Sequence, residues 1–173
     1  MLCYSNAHAQ AAVYVMTTPS SPATVGLSVP DFSAAATGGG FKLSAQAGQQ
    51  VVLYFYPKDN TPGCTTQGQN FRDLHGEFAR ANTAVFGISR DSLKSHEKFK
   101  DAMAFPFDLI SDPDEAVCLM FGVMKMKNMY GKQVRGIERS TFLIGAGGNL
   151  RREWRGVKVP GHAAEVLAAA RTL

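Results

Sequence analysis

The six residues "VVLYFY", Val51 to Tyr56, constrain this chain more than any other stretch. All but Leu53 are β-branched or aromatic, and no polar residue interrupts them. A strand with one face in water alternates apolar and polar side chains, so an uninterrupted apolar run of this length must be covered on both faces. Such a strand belongs at the centre of a sheet with layers packed above and below it.

The segments around it agree. Phe71, Leu74 and Phe78 recur at helical spacing, and "AVFGIS" (Ala84 to Ser89) reads as a second buried strand followed by the helical pattern "SLKSHEKFKDAM". "FDLIS" leads into "DPDEAVCLMFGV", where Asp112 can cap a helix with Pro113 at its first position. "STFLIGAGGNLRREWRG" reads as a hairpin about a Gly-rich turn, and "GHAAEVLAAARTL" as a closing amphipathic helix. "GGGFKLSAQAGQQ" supplies a short extra strand and turn before the central strand. Two βα units followed by a hairpin and a helix describe a thioredoxin-like α/β sandwich, a central mixed sheet flanked by helices. The Gly145 to Gly148 run is a turn rather than a dinucleotide fingerprint, because the "NLRREWRG" after it reads as a strand and not a helix.

Composition removes several classes of function. A chain of 173 residues that is 45% hydrophobic suits one domain with an ordinary core. The formal charge of +4 is spread over scattered Lys and Arg residues with no run longer than two, so neither a nucleic-acid partner nor a membrane surface is expected. No apolar run approaches the roughly 20 residues of a membrane span. Cys3, Cys64 and Cys118 form no CxxC, and His8, His75, His96 and His162 lack close ligand spacing, so no metal and no cofactor are expected. An odd cysteine count in a chain of this length points to a reducing compartment, and the expected location is cytoplasmic. Residues 1–24 read as a disordered or over-extended tail before a domain spanning 25–173. Translation can start at Met16 instead of Met1, and "AHAQ" lacks the basic and apolar segments that a secretory leader needs.

Within this frame Cys64 stands out. "PKDNTPGC" between the central strand and the next helix is turn chemistry rather than core. A cysteine in the first turn of a helix faces unpaired backbone N–H groups and the positive end of the helix dipole, which favour the thiolate.

"PKDNTPGC" also fits the P-x-x-x-T-x-x-C motif of the peroxiredoxins. Together with "GISRDS", "FPFDLISDPDEAVCLMFGV" and "GIERSTFLI", it makes the chain from Val25 to Leu173 resemble the bacterioferritin comigratory protein (peroxiredoxin Q) subgroup. The resemblance implies an antioxidant thiol peroxidase that reduces hydrogen peroxide and organic hydroperoxides; a thiol reductant (thioredoxin, glutaredoxin or glutathione) and a monomeric state are expected with it. It implies Cys64 as the peroxidatic cysteine and Thr61, Pro57 and Arg139 as the other motif residues. Thr61 is expected to offer its hydroxyl to sulfur or peroxide, Arg139 to supply charge and several N–H donors, and Pro57 to shape the turn and shield the sulfur.

The chain departs from the subgroup at position 69, where many members carry a resolving cysteine and this one has Gln69. An external thiol is therefore expected to resolve Cys64. Cys118 lies on the apolar side of its helix with Phe121 and reads as a packing residue, with an atypical two-cysteine mechanism through Cys118 as the alternative. A peroxide-sensing relay protein is a further alternative. "MKMKNMYGKQVRG", Met124 to Gly136, reads as a solvated loop with adaptable apolar contacts; the functional option is a rim of the peroxide pocket or a docking surface for the reductant.

Overall fold

The computed structural model describes residues 22–173, so the expected tail lies outside the described residues except for Pro22 to Thr24. Ala23 is already part of the fold, its N–H donating to the Met120 carbonyl at 2.8 Å.

The expected central strand is β3 (Gln50–Phe55), in which every residue is buried. It pairs in parallel with β4 (Thr83–Ser89), which pairs in parallel with β5 (Leu109–Ser111). On its other side β3 pairs antiparallel with β8 (Ser140–Ile144), and β8 with β9 (Leu150–Trp154). The short strands β1 (Ser33–Ala36) and β2 (Phe41–Lys42) complete a seven-stranded mixed sheet in the order β2-β1-β5-β4-β3-β8-β9. This is the thioredoxin-like arrangement expected from the order of segments. Within this sheet only β1 had no counterpart in the sequence reading, since "SAAA" carries no strand-like apolar pattern.

Side chains of a strand alternate between faces, so β3 feeds two separate cores. Val51, Leu53 and Phe55 pack with Val29, Phe32, Phe41, Val117, Cys118, Phe121 and Phe142. Val52, Tyr54 and Tyr56 pack with Cys64, Phe71, Phe78, Phe99, Phe105, Val166 and Leu167. The second face is covered by α1 (Pro62–Asp73), α2 (His75–Arg80), α3 (Leu93–Met103) and α5 (His162–Ala170). The first is covered by the short helix α4 (Ala116–Met120) and the N-terminal segments. No helix among the described residues is long and apolar enough to cross a membrane.

Three local expectations need correction. The helix carrying Phe71, Leu74 and Phe78 is two helices, broken at Leu74, whose ψ of 3° leaves the helical range while keeping both phenylalanines in one core. Helix α4 begins at Ala116, not at Pro113. Asp112 still caps it from a distance, accepting from the N–H groups of Val117 at 3.2 Å and Cys118 at 2.7 Å. The Met124 to Gly136 segment is no loop but a separate hairpin of β6 (Met124–Met129) and β7 (Lys132–Ile137), turning at Tyr130 and Gly131, both at positive φ. Its charged and Met-rich composition hid the alternation of a two-stranded ribbon open to water.

Gly87 of β4 shows how tightly the Cys64 face is packed. A Cβ there would sit 2.7 Å from Cζ of Tyr54, so glycine is what lets the Tyr54 ring lie across the neighbouring strand.

His162 opens α5 in the same core, its Nε2 2.8 Å from the Thr141 hydroxyl. Burial, helped by the Arg139 charge and partly opposed by Glu165, lowers its pKa from 6.5 to about 4. The unfolded chain therefore binds this proton first, and the contribution of neutral His162 to stability is complete above pH 6.5 and lost as pH falls to about 4. The loss should reach the order of 3 kcal/mol. Urea denaturation across this window should give a midpoint that falls with pH in the wild type and falls less steeply in His162→Gln; parallel slopes would remove His162 as the cause.

Candidate functional site

Thr61 is the N-cap of α1, with extended backbone at ψ 150°, and Pro62 fills the first helical position, where a missing N–H costs nothing. Cys64 follows in the first turn, as expected, and is 2% exposed. Nη2 of Arg139, from the connection between β7 and β8, lies 3.5 Å from its sulfur. The backbone of Arg139 is pinned by its carbonyl, which accepts from the Val157 N–H at 2.9 Å. Gly63 keeps the approach open, since a Cβ there would lie 3.3 Å from the same Nη2.

The expected residues do not all converge in the expected way. Cys64 and Arg139 meet. The Thr61 hydroxyl donates to the Lys58 carbonyl at 2.9 Å, so its hydrogen is committed to its own turn and not to the sulfur. Pro57 is half-buried at the start of the same turn. Gln69 does not face the cysteine as a substitute partner; its amide reaches the Met103 sulfur at 3.8 Å. Cys118 is fully buried in the opposite core from Cys64, and burial followed by the charge and hydrogen bonding of Asp112 pushes its thiol far above the ordinary range.

Three further side chains belong to the neighbourhood. Gln67 accepts from Nη1 of Arg139 through Oε1 and so fixes the guanidinium, while its own amide nitrogen is buried without a partner. Its spacing of three residues from Cys64 on a helix was the available signal. The Tyr54 hydroxyl is also buried and unpartnered; burial, with the charges of Cys64 and Asp59 adding to it, holds the phenol protonated far above its usual range. In the sequence Tyr54 is indistinguishable from strand filler. Lys127, on β6, turns its ammonium to the Ile137 carbonyl; burial first and then the Arg139 charge lower its pKa, against the opposing pull of Glu138 and Cys64. The hairpin therefore brings one lysine within electrostatic reach of the cysteine, and this was invisible while the segment read as a loop.

Among the described residues one group could be arranged for a metal ion, Asp59, Asp91 and His96. Its donor atoms are already engaged with one another and with neighbouring protein groups. A groove of about 350 Å³ lies at the far end of β3, lined by Val29, Leu43, Val51, Ile144 and the Gly145 to Gly148 turn. Its titratable group, Asp31, accepts from the Ser44 N–H at 2.8 Å, and no cysteine lines it. The chemistry concentrates at Cys64.

Comparison with known proteins gives a coherent result. Residues 25–153 match the model of the AhpC/TSA family. Peroxiredoxin Bcp of Xanthomonas campestris pv. campestris is 58% identical over 127 residues, 73% of this chain and 79% of that protein. A solved structure of the X. campestris bacterioferritin comigratory protein, concerned with its alkyl peroxide reduction activity, aligns at a TM-score of 0.78 and 52% identity, covering 82% of this chain and 90% of that one. A cysteine-to-serine mutant of Xylella fastidiosa PrxQ aligns at a TM-score of 0.83 and 44% identity over 88% and 98% of the two chains.

Arg139→Lys keeps the charge but loses the planar fork that reaches the sulfur and Gln67 together. It should slow oxidation of Cys64 by hydrogen peroxide about tenfold or more while leaving the melting temperature nearly unchanged. Stopped-flow rates equal to wild type would take Arg139 out of the site.

Proposed function

Because the chain belongs to the AhpC/TSA family, with peroxiredoxins among its relatives, we propose that it is a thiol peroxidase in which Cys64 reduces hydrogen peroxide and organic hydroperoxides and an external thiol completes the cycle. The observation that carries this reading is the Arg139 guanidinium 3.5 Å from a cysteine sulfur in the first turn of a helix. In the first step the Cys64 thiolate attacks one peroxide oxygen. The S–O bond forms, the O–O bond breaks, and the electron pair leaves on the other oxygen, which takes up a proton to become an alcohol or water. Sulfur is oxidised to sulfenic acid. The developing negative charge on oxygen needs fixed donors in a site with little water, and Arg139 is the strongest candidate, with Gln67 holding its second nitrogen. Thr61 acts through the turn, standing at the N-cap position of α1 with its hydroxyl tying the chain back to Lys58, and Pro57 fixes the start of that turn.

In the second step a thiol attacks the sulfenic sulfur, water departs and a mixed disulfide remains, which a further thiol releases. The one-cysteine form of this cycle is supported by three observations. Gln69 occupies the nearby position and packs on Met103. Cys118 is fully buried in the core on the other face of the sheet. Its thiol is held protonated, which makes it a poor attacking group. A disulfide needs Cα atoms within about 7 Å, and β3 lies between these two side chains. The reductant is thioredoxin, glutaredoxin or glutathione, and the location of work is the cytoplasm.

Peroxide consumption measured with the three reductant systems supplied separately tests the reading and identifies the reductant. Cys64→Ser should consume no peroxide while melting like wild type, because a hydroxyl is scarcely ionised where a thiol is. Cys118→Ser puts a hydroxyl in the core and so should melt lower, but while folded it should turn over within about twofold of wild type, because Cys118 takes no part in the cycle. Full turnover in folded Cys64→Ser would refute the peroxidase assignment, and lost turnover in folded Cys118→Ser would refute the one-cysteine form.

A further inference from the structure

The turn that delivers Cys64 is anchored by a buried ionic cluster which the peroxide chemistry does not itself require. Asp59 is 5% exposed and His96, on α3, is fully buried. The Asp59 carboxylate accepts from the Tyr56 hydroxyl at 2.7 Å, the Ser95 hydroxyl at 2.8 Å and His96 Nδ1 at 2.8 Å. Nε2 of His96 faces the Ile110 carbonyl of β5 at 3.1 Å. A carbonyl and a carboxylate can only accept, so the ring meets both by donating from both nitrogens, the form that carries a positive charge. The backbone N–H of Asp59 donates to Asp91 Oδ2 at 3.0 Å, and Asp91 also accepts from the Ser89 hydroxyl at 2.6 Å at the end of β4. Burial alone would raise the Asp59 carboxyl; the hydrogen bonds from His96, Tyr56 and Ser95 outweigh it and hold the acid below its ordinary range.

Residue 59 is thus gripped by side chain and main chain from β4, α3 and the end of β3, and β5 holds the far side of the histidine. Little freedom remains between it and the sulfur. Asn60 sits in the left-handed region at φ 59°, the Thr61 hydroxyl is tied back to the Lys58 carbonyl, and Pro62 fixes the first helical residue. A buried charge pair is poor evidence of stability, because desolvating two ions offsets most of their attraction. Its better-attested use is to specify one arrangement.

We propose that Asp59 and His96 are positioning residues for Cys64, a buried ion pair that fixes the turn from Pro57 to Thr61 and so aims the sulfur along the line that attack on the peroxide bond needs. The inference deepens the peroxidase reading and rests on it. Peroxide reduction needs sulfur and both oxygens in line beside Arg139, and misplacement by about 1 Å can cost about a hundredfold in rate. Alkylation of the same sulfur by iodoacetamide needs the same accessible thiolate but not the in-line alignment of two oxygens beside Arg139, so the ratio of the two rates reports aim rather than exposure or thiolate fraction.

The test measures both rate constants by stopped flow and quench for wild type, Asp59→Asn, His96→Gln and the double variant, with circular dichroism and melting curves as checks on folding. Each single variant should lose about tenfold or more in hydrogen peroxide rate while its iodoacetamide rate stays within about twofold, and the double should lose no more than the worse single, since the pair acts as a unit. If Asp59→Asn fails to fold, His96→Gln, which keeps similar bulk and one donor, carries the comparison. Folded variants with unchanged peroxide rates, with both rates falling together, or with losses that multiply in the double would overturn the proposal. Wild-type Cys64 reacting with peroxide no faster than a free thiol would instead overturn the peroxidase reading.

Discussion

Six consecutive residues of β3, none more than 7% exposed, have to be buried on two faces at once, and the rest of the molecule follows from that demand. One face needs four helices and the other a short helix with the N-terminal segments, which together make a layered α/β sandwich. The chain leaves the buried end of β3 into a turn and returns as α1, so the first turn of a helix stands at the edge of a deep apolar layer. Cys64 inherits both properties, buried in the layer and placed in the first turn of a helix, where backbone N–H groups lack intrahelical partners. The same two-sided burial puts Cys118 in the opposite core.

Charge is then arranged around a sulfur that water barely reaches. Two unit charges about 4 Å apart interact by about 1 kcal/mol in water and by about 4 kcal/mol at an effective dielectric constant near 20, so a guanidinium here carries weight that an exposed one would not. A half-buried guanidinium must itself be satisfied, and Gln67 meets part of that need from the same helix as Cys64. The cysteine and the group that steadies its cation are therefore one local unit, three residues apart. Among the described residues, the orphan amide of Gln67 and the orphan hydroxyl of Tyr54 are the buried donors left over in this layer. Native interiors rarely leave such groups unpaired without a role.

The sequence was legible where the pattern is local and periodic. "VVLYFY" could be read as a two-sided strand, and Cys64 as a first-turn residue from Pro62 and the turn before it, because both rest on short-range sterics and spacing. Arg139 was reached only through "GIERSTF" and a family resemblance, since 75 residues separate it from the sulfur it meets. Gln67, Tyr54 and Lys127 were missed for the reason that their roles depend on what tertiary packing brings opposite them. The hairpin at Met124 to Ile137 was misread because neither of its faces is fully buried, which erases the contrast on which strand recognition depends. The hydrogen bond from the Thr61 hydroxyl to the Lys58 carbonyl was not legible either, because it depends on how the turn closes.

The central claim is that one sulfur, isolated by the sheet from the other buried cysteine, takes up the oxidising equivalent alone. Intact mass of the reduced protein after a single equivalent of hydrogen peroxide, read without reductant, tests this directly. The account predicts a gain of one oxygen atom, localised by fragmentation to the peptide holding Cys64. A loss of two hydrogens, with Cys64 and Cys118 found in one linked peptide, would contradict it.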